Sequence, residues 1–331
     1  MRRTSARKRV YFFWDYDLSE EDVREILAGD DEYRKAWVIS RILNSAHWDD
    51  IWTYVTLDDI RTYFDQLHFR TPHQRELWAH ALEVWSRDRA PQALKESKPP
   101  YELEPAPSLQ PGILTPLQQE FLTHFFAYDV GQRFFLTGGT ALAGFYLHHR
   151  LSDDVDLFTL EDGALDAAQD TALTIGDEMG WEVGARRLSP HFLRLDLTAP
   201  NGETLKADLV QEPGTQFGEK RWCEGVIVDS LVDIAANKVT AILGRADAKD
   251  FVDLYFLVHE CGYDLNRLIP MARQKDLGLT EFYLAGMLRH IHKVKDLPIM
   301  LKPLALPTLI SFYDELADQL LATHGPPPWP A

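Results

Sequence analysis

The sequence predicts an α/β core followed by a helical bundle, with a separate, mostly helical domain in front. Three observations carry that expectation. Prolines at 91, 99, 100, 105, 107, 111 and 116 are too dense for a helix or a central strand, so a semi-extended linker should divide the chain near residue 105. Beyond it, apolar runs of strand length alternate with helix-length segments in the order α-β-α-β-α-β-β. From Ser230 onward the apolar spacing is almost entirely helical. The expected domains are a helical accessory domain over 1–90, the linker over 91–114, the α/β core over 115–228, a helical domain over 229–323 and a flexible tail over 324–331.

In the first domain, helix starts are legible at Ser19 with Asp22, at Thr56 with Asp59, and at Thr71 with Pro72 and Gln74. A fourth helix near 32–44 places Trp37, Ile39, Ile42 and Leu43 largely on one side. Segments 57–68 and 72–86 form a candidate helix-turn-helix, although most antiparallel helix pairs are packing units. Asp15 and Asp17, after an aromatic run, read as turn or cap residues. In the core, Thr115, Pro116 and Gln118 open a helix. Then come strand 133–137, helix 140–150, strand 154–160 and helix 164–179. A strand pair near 191–198 and 204–211 follows, joined by a tight turn at Pro200-Asn201-Gly202.

Hydrophobic content of 45% and charged content of 26% are those of an ordinary soluble globular chain of 331 residues. No apolar run approaches the roughly 18 residues of a membrane span, so no membrane role is expected. The five apolar residues before Asp15 are too few for a signal peptide. Cys223 and Cys261 offer no disulfide framework and are expected as buried small side chains, which suits the cytoplasm. Residues 1–98 hold 16 basic against 18 acidic side chains, and residues 99–331 hold 18 against 33. A second half with a net charge of −15 argues against non-specific DNA coating and leaves room for a nucleic-acid substrate held by a local basic strip.

The chemistry is concentrated in FFLTGGTALAGFYLHHRLSDDVDLF, residues 134–158. It reads as a strand, a Gly138-Gly139-Thr140 turn into a helix, and a second strand carrying Asp154 and Asp156. Glycines at a helix start allow close backbone approach and leave N–H groups for phosphate. Carboxylates two apart on a strand share a face and suit hard cations such as Mg²⁺. Asp208 would join them if its strand lies beside 154–160, with Asp196 as the rival third carboxylate. Three carboxylates around two metals fit in-line displacement at a phosphate.

These motifs resemble the AbiEii/AbiGii-type nucleotidyltransferase toxin family, within the polymerase-β-like nucleotidyltransferase superfamily. The matching residues are Gly138-Gly139-Thr140-Ala141-Leu142, Arg150-x-Ser152-x-Asp154-x-Asp156-Leu157-Phe158, Asp208, and the run Asp233, Lys238, Arg245, Asp250, Asp253, Leu254, Tyr255. The resemblance spans roughly residues 115–320 and implies a polymerase-β-like core. It implies that Gly138, Gly139 and Thr140 cradle the triphosphate of an NTP, with Arg150 and Ser152 in the nucleotide-binding motif. It further implies that Asp154 and Asp156 hold Mg²⁺ or Mn²⁺, and that Asp208 completes the metal site or helps deprotonate the acceptor. Lys238 would contact phosphate, and Asp250 would be the late acidic residue, with Asp253 as its rival. One departure is Lys249 before Asp250, where the family pattern has arginine.

Without the resemblance, Lys238, Arg245, Asp250 and Asp253 read equally as a solvated helix face. Arg150 reads as a helix C-cap, Ser152 as the start of a turn, and His148 and His149 receive no role. The function expected is metal-dependent transfer of a nucleoside monophosphate to an acceptor hydroxyl in a toxin–antitoxin or phage-defence system. RNA, with the 3′ end of tRNA foremost, is the first acceptor implied, a protein (self or antitoxin) the second, and a cognate antitoxin is the implied partner. Two rivals are a non-enzymatic NTP sensor that binds DNA or a partner, and a glycosyltransferase using the paired aspartates. The second leaves the Gly-Gly-Thr turn unexplained.

Overall fold

The computed structural model describes residues 9–87, 105–212 and 214–327. Most of the expected linker and the last four residues of the tail lie outside that range. Chain contacts form two compact units. One holds the described residues before 88 with Thr280–Gly286 and residues 317–327, and the other holds the remainder.

In the first unit the expected helix starts are all present. Helices α1 (Glu20–Ala28) and α4 (Leu57–Tyr63) open on capping boxes at Ser19 and Thr56, and α5 (Pro72–Ser86) on a Thr71 cap with proline in its first turn. Each cap satisfies backbone N–H groups that a helix start would otherwise leave unpaired. Helix α2 (Glu32–Ser45) runs as its spacing predicted, and α3 (Trp48–Tyr54), not anticipated, sits between it and α4. Trp48, Trp52, Trp78, Trp85 and Phe282 pack with ring centroids 4.6–6.3 Å apart. This aromatic cluster is the core that so short a set of helices needs. Asp15 and Asp17 pair with Arg41 and Arg9.

The second unit is built on a seven-stranded sheet ordered β3-β4-β5-β2-β1-β7-β6. Helix α6 (Pro116–Ala127) leads into β1 (Phe135–Thr137), followed at once by the one-turn α7 (Gly138–Ala141) and a π-helical stretch, Leu142–Leu147. Strand β2 (Asp154–Thr159) returns antiparallel to β1, and α8 (Ala164–Met179) follows. Strands β3 (Glu182–Ser189), β4 (Phe192–Thr198) and β5 (Thr204–Gln211) form an antiparallel meander whose last member lies parallel to β2. Strands β6 (Arg221–Cys223) and β7 (Val226–Val228) complete the sheet, β7 pairing with β1. The expected helix at 140–150 thus begins two residues early, changes to π geometry and stops before His148, which takes a left-handed conformation at φ 52°.

Alternation sets the two faces of the sheet. Val155, Leu157, Leu195, Leu197, Ala207 and Leu209 are buried, and α6 and α8 pack on the sheet. Asp154, Asp156, Asp208 and Arg194 fall on the opposite, half-buried face. Beyond the sheet come α9 (Leu231–Gly244), α10 (Ala248–Cys261), α11 (Leu265–Lys275), α12 (Glu281–Leu288) and α13 (Leu306–Thr323). Cys261 is buried, but Cys223 is only half-buried because β6 is an edge strand. Among the described residues, no helix is long and apolar enough to cross a membrane.

Candidate active site

The parallel pairing of β2 with β5 puts Asp156 directly opposite Asp208 and Asp154 opposite Lys206. Three carboxylates that the chain separates by up to 54 positions therefore share one face at adjacent strands. The rival, Asp196, lies one strand further out on β4, where it pairs with Arg186 at 2.7 Å.

The glycine turn closes over this face. Gly138 has φ +68°, and a Cβ there would stand 2.2 Å from Asp156 Oδ2. A Cβ on Gly139 would stand 2.5 Å from Arg150 Nη2 and 3.1 Å from Ser152 Oγ. Both glycines are needed because side chains press against the turn from beneath. The Thr140 hydroxyl donates to the Asp154 carbonyl and lies 2.9 Å from Ser152 Oγ, fastening the turn to the start of β2.

Each outer carboxylate already faces a cation of this chain. Lys206 and Lys249 reach Asp154 at 2.9 and 3.5 Å. Arg194 donates through Nε and Nη2 to the two oxygens of Asp208 at 2.7 and 2.8 Å. Burial, with Asp208 and Asp154 alongside, pushes the Asp156 carboxyl above its usual range against the pull of Lys238. Among the described residues, no three His, Cys, Asp or Glu side chains converge as a ready metal cage. The donor set itself is hard oxygen on one face, which fits Mg²⁺ or Mn²⁺, and the lysines and arginine stand where a cation's charge is wanted.

Beneath the turn lies a second, largely buried set of charges. Arg150 donates from Nε and Nη2 to both oxygens of Asp253 at 2.7 and 2.8 Å. His149 Nε2 lies 2.8 Å from the same carboxylate. Lys238 stands between Asp250 at 3.1 Å and Asp253 at 2.6 Å, and Arg245 grips Asp250. Burial alone would raise both carboxyls, but Lys238, Arg150 and His149 hold Asp253 well below the usual range. Arg245 and Lys238 likewise lower Asp250. The solvated-helix-face reading is therefore wrong for Asp250 and Asp253, which are completely buried, and for Lys238, which is 4% exposed, but Arg245 does face solvent with half of its side chain. Ser230 caps α9 by accepting the Asp233 N–H, and the Asp233 carboxylate receives the Phe217 and Gly218 N–H groups, tying the loop before β6 to that helix.

The residues singled out from sequence thus fall into two layers. Gly138, Gly139, Thr140, Ser152, Asp154, Asp156 and Asp208 gather at the surface of the sheet. Arg150, Lys238, Asp250 and Asp253 form the buried layer that supports them. Arg194, Lys206 and His149 were missed. The alternation of Arg194 with Asp196 in LRLDL was the available sign that a cation shares the acidic face. A cavity of about 710 Å³ beside α6, lined by Ile113, Leu114, Glu120, His124 and Leu151 among others, includes none of these residues.

The family model of the AbiEii nucleotidyl transferase toxin, of type IV toxin–antitoxin systems, matches residues 120–278, which hold every residue of both layers. An uncharacterised Aquifex aeolicus protein is 30% identical over 159 residues, 48% of this chain and 73% of that protein. The chain belongs to the AbiEii toxin family. Its enzymatic class is accordingly nucleotidyltransferase. Among solved structures, JHP933 from Helicobacter pylori is similar, with 18% identity over 62% of this chain and 89% of that one and a TM-score of 0.39. The nucleotidyltransferase toxin MenT4 from Mycobacterium tuberculosis is similar at 14% identity over 63% of this chain and 82% of that one, with a TM-score of 0.36.

Proposed function

We propose that this AbiEii-family chain is a metal-dependent toxin that moves a nucleoside monophosphate from an NTP to an acceptor hydroxyl. The observation that carries the reading is the register of Asp156 against Asp208, with Asp154 on the same face and the Gly138 turn resting on Asp156. The turn's backbone offers N–H groups to the triphosphate at a helix start. The acceptor hydroxyl gives up its proton, with Asp208 or water to receive it, as its oxygen attacks the α-phosphorus, the bond to the β-phosphate oxygen breaks and pyrophosphate leaves. Asp154, Asp156 and Asp208 would hold Mg²⁺ or Mn²⁺, which supplies charge stabilisation at the phosphate and acidifies the acceptor hydroxyl. The buried Arg150–Asp253–Lys238–Asp250 layer holds the turn and β2 in place, so little reorganisation is left for the reaction. Gly139 stacked against the Arg150 guanidinium supports a positioning role for Arg150, in place of the nucleotide contact implied by the resemblance.

RNA is the acceptor class this reading favours, the 3′ end of tRNA foremost, in the cytoplasm, in a toxin–antitoxin or phage-defence system with a cognate antitoxin as partner. The test is incubation with Mg²⁺, cellular RNA and NTPs labelled at the α- or γ-phosphate. Label entering RNA from the α position alone supports the reading. Label from the γ position, or label in protein alone, refutes it as stated.

A further inference from the structure

Arg194 reaches Asp208 from the side of the site away from the glycine turn. Across the sheet the order is β4, β5, β2, β1, so the turn after β1 lies to one side of Asp156 and Asp208 while Arg194 lies to the other. An NTP whose phosphates sit at the turn leaves the β4 side for the acceptor. Arg194 and Asp208 are directly opposed in the β4–β5 register, and their side chains are 28% and 15% exposed. The pair is neither sealed in the core nor loose in solvent. Its geometry is a two-point fork: both carboxylate oxygens of Asp208 are occupied by guanidinium N–H groups. Those are the oxygens that a divalent cation would take. Lys206 and Lys249 oppose Asp154 as single point charges at 2.9 and 3.5 Å, a looser hold than the fork on Asp208.

We propose that Arg194 is a displaceable counter-cation of Asp208. While the fork is closed, the third carboxylate is withheld from the metal. When a metal takes Asp208, the freed guanidinium presents its donors on the acceptor side, where an anionic acceptor such as a phosphodiester accepts them. Arg194 acts through Asp208 on metal binding and is in that respect a positioning residue. The proposal rests on the metal-dependent reading above.

The test is calorimetric Mn²⁺ binding to the full chain without nucleotide, for wild type, Arg194→Gln, Arg194→Lys, Asp208→Asn and the Arg194→Gln/Asp208→Asn double variant. Removing the guanidinium that competes for both Asp208 oxygens should tighten Mn²⁺ binding by Arg194→Gln on the order of tenfold, the net worth of a hydrogen bond to a charged group. Arg194→Lys, which keeps the charge and loses the fork, should fall between it and wild type. In the Asp208→Asn background the Arg194 substitution should change little, because the carboxylate it competes for is gone. In the transfer assay, Arg194→Gln should raise the KM for the acceptor, with Arg194→Lys restoring part of it. Wild type that binds Mn²⁺ no more weakly than Arg194→Gln overturns the proposal and leaves the metal reading intact, as does an equal gain in the Asp208→Asn background. An unchanged acceptor KM overturns the acceptor-side role. Wild type that binds no Mn²⁺ overturns both the proposal and the metal reading.

Discussion

Gly138→Ala tests the coupling between the glycine turn and the carboxylate face. The new Cβ would start 2.2 Å from Asp156 Oδ2, against ordinary van der Waals contact near 3.4 Å, so the carboxylate must yield by about 1.2 Å. Alanine at φ +68° adds a backbone cost of roughly 1–2 kcal/mol. A displacement of about 1 Å in a positioned reacting group costs on the order of 100-fold in rate. Gly163→Ala is the matched control, since Gly163 has φ +70° with nothing within 4 Å of its Cβ position. Both variants should lose similar stability by thermal unfolding, roughly 1–2 kcal/mol from the backbone. Only Gly138→Ala should lose kcat/KM for α-label transfer, by about two orders of magnitude. A Gly138→Ala protein that keeps more than about a tenth of wild-type kcat/KM would refute the idea that the turn sets the place of Asp156.

Lys238→Met strips one cation from two buried carboxylates and should cost about 3–5 kcal/mol in urea unfolding, whereas a solvated helix face would lose almost nothing. Asp154→Ala should abolish transfer yet change stability by no more than about 1 kcal/mol, because its partners Lys206 and Lys249 are half-exposed; a melt matching wild type beside zero incorporation checks this. His149, whose imidazolium burial disfavours, titrates in the fold below its ordinary 6.5. The unfolded chain takes that proton first, so its share of stability is complete above about pH 6.5 and is lost as pH falls through the folded value; stability curves for His149→Asn should be flatter there. Asp250 and Asp253 are depressed too, so their contribution is present above the usual carboxylate range and should persist into more acidic solution, where acid unfolding finally removes it.

The surface layer was legible because strand alternation is a local property. Asp154 and Asp156 share a face whatever the rest of the chain does, and the Gly-Gly-Thr turn carries its own conformational reason. Asp208 was legible only conditionally, since its role depends on a parallel pairing that no local pattern states. Strand β3 was missed because it is largely exposed, and β6 and β7 because three residues are too few to show a period. The burial of the second layer was not legible for a related reason. Lys238, Asp250 and Asp253 have the spacing of solvent-facing helix charges, and only the packing of α9 against α10 turns them inward. His149 escaped notice because adjacency to His148 says nothing about a carboxylate 104 residues away.

The span from Arg150 to Asp253 also sets a clock. The arginine emerges from the ribosome about a hundred residues before the carboxylate that holds it. At roughly 5–20 residues per second, that interval lasts on the order of five to twenty seconds. Until it closes, the glycine turn has no buried support, and Asp208 has itself only recently joined the sheet. The candidate site of a growing chain is therefore completed only after Asp253 has been made, long after its glycine turn and first two carboxylates.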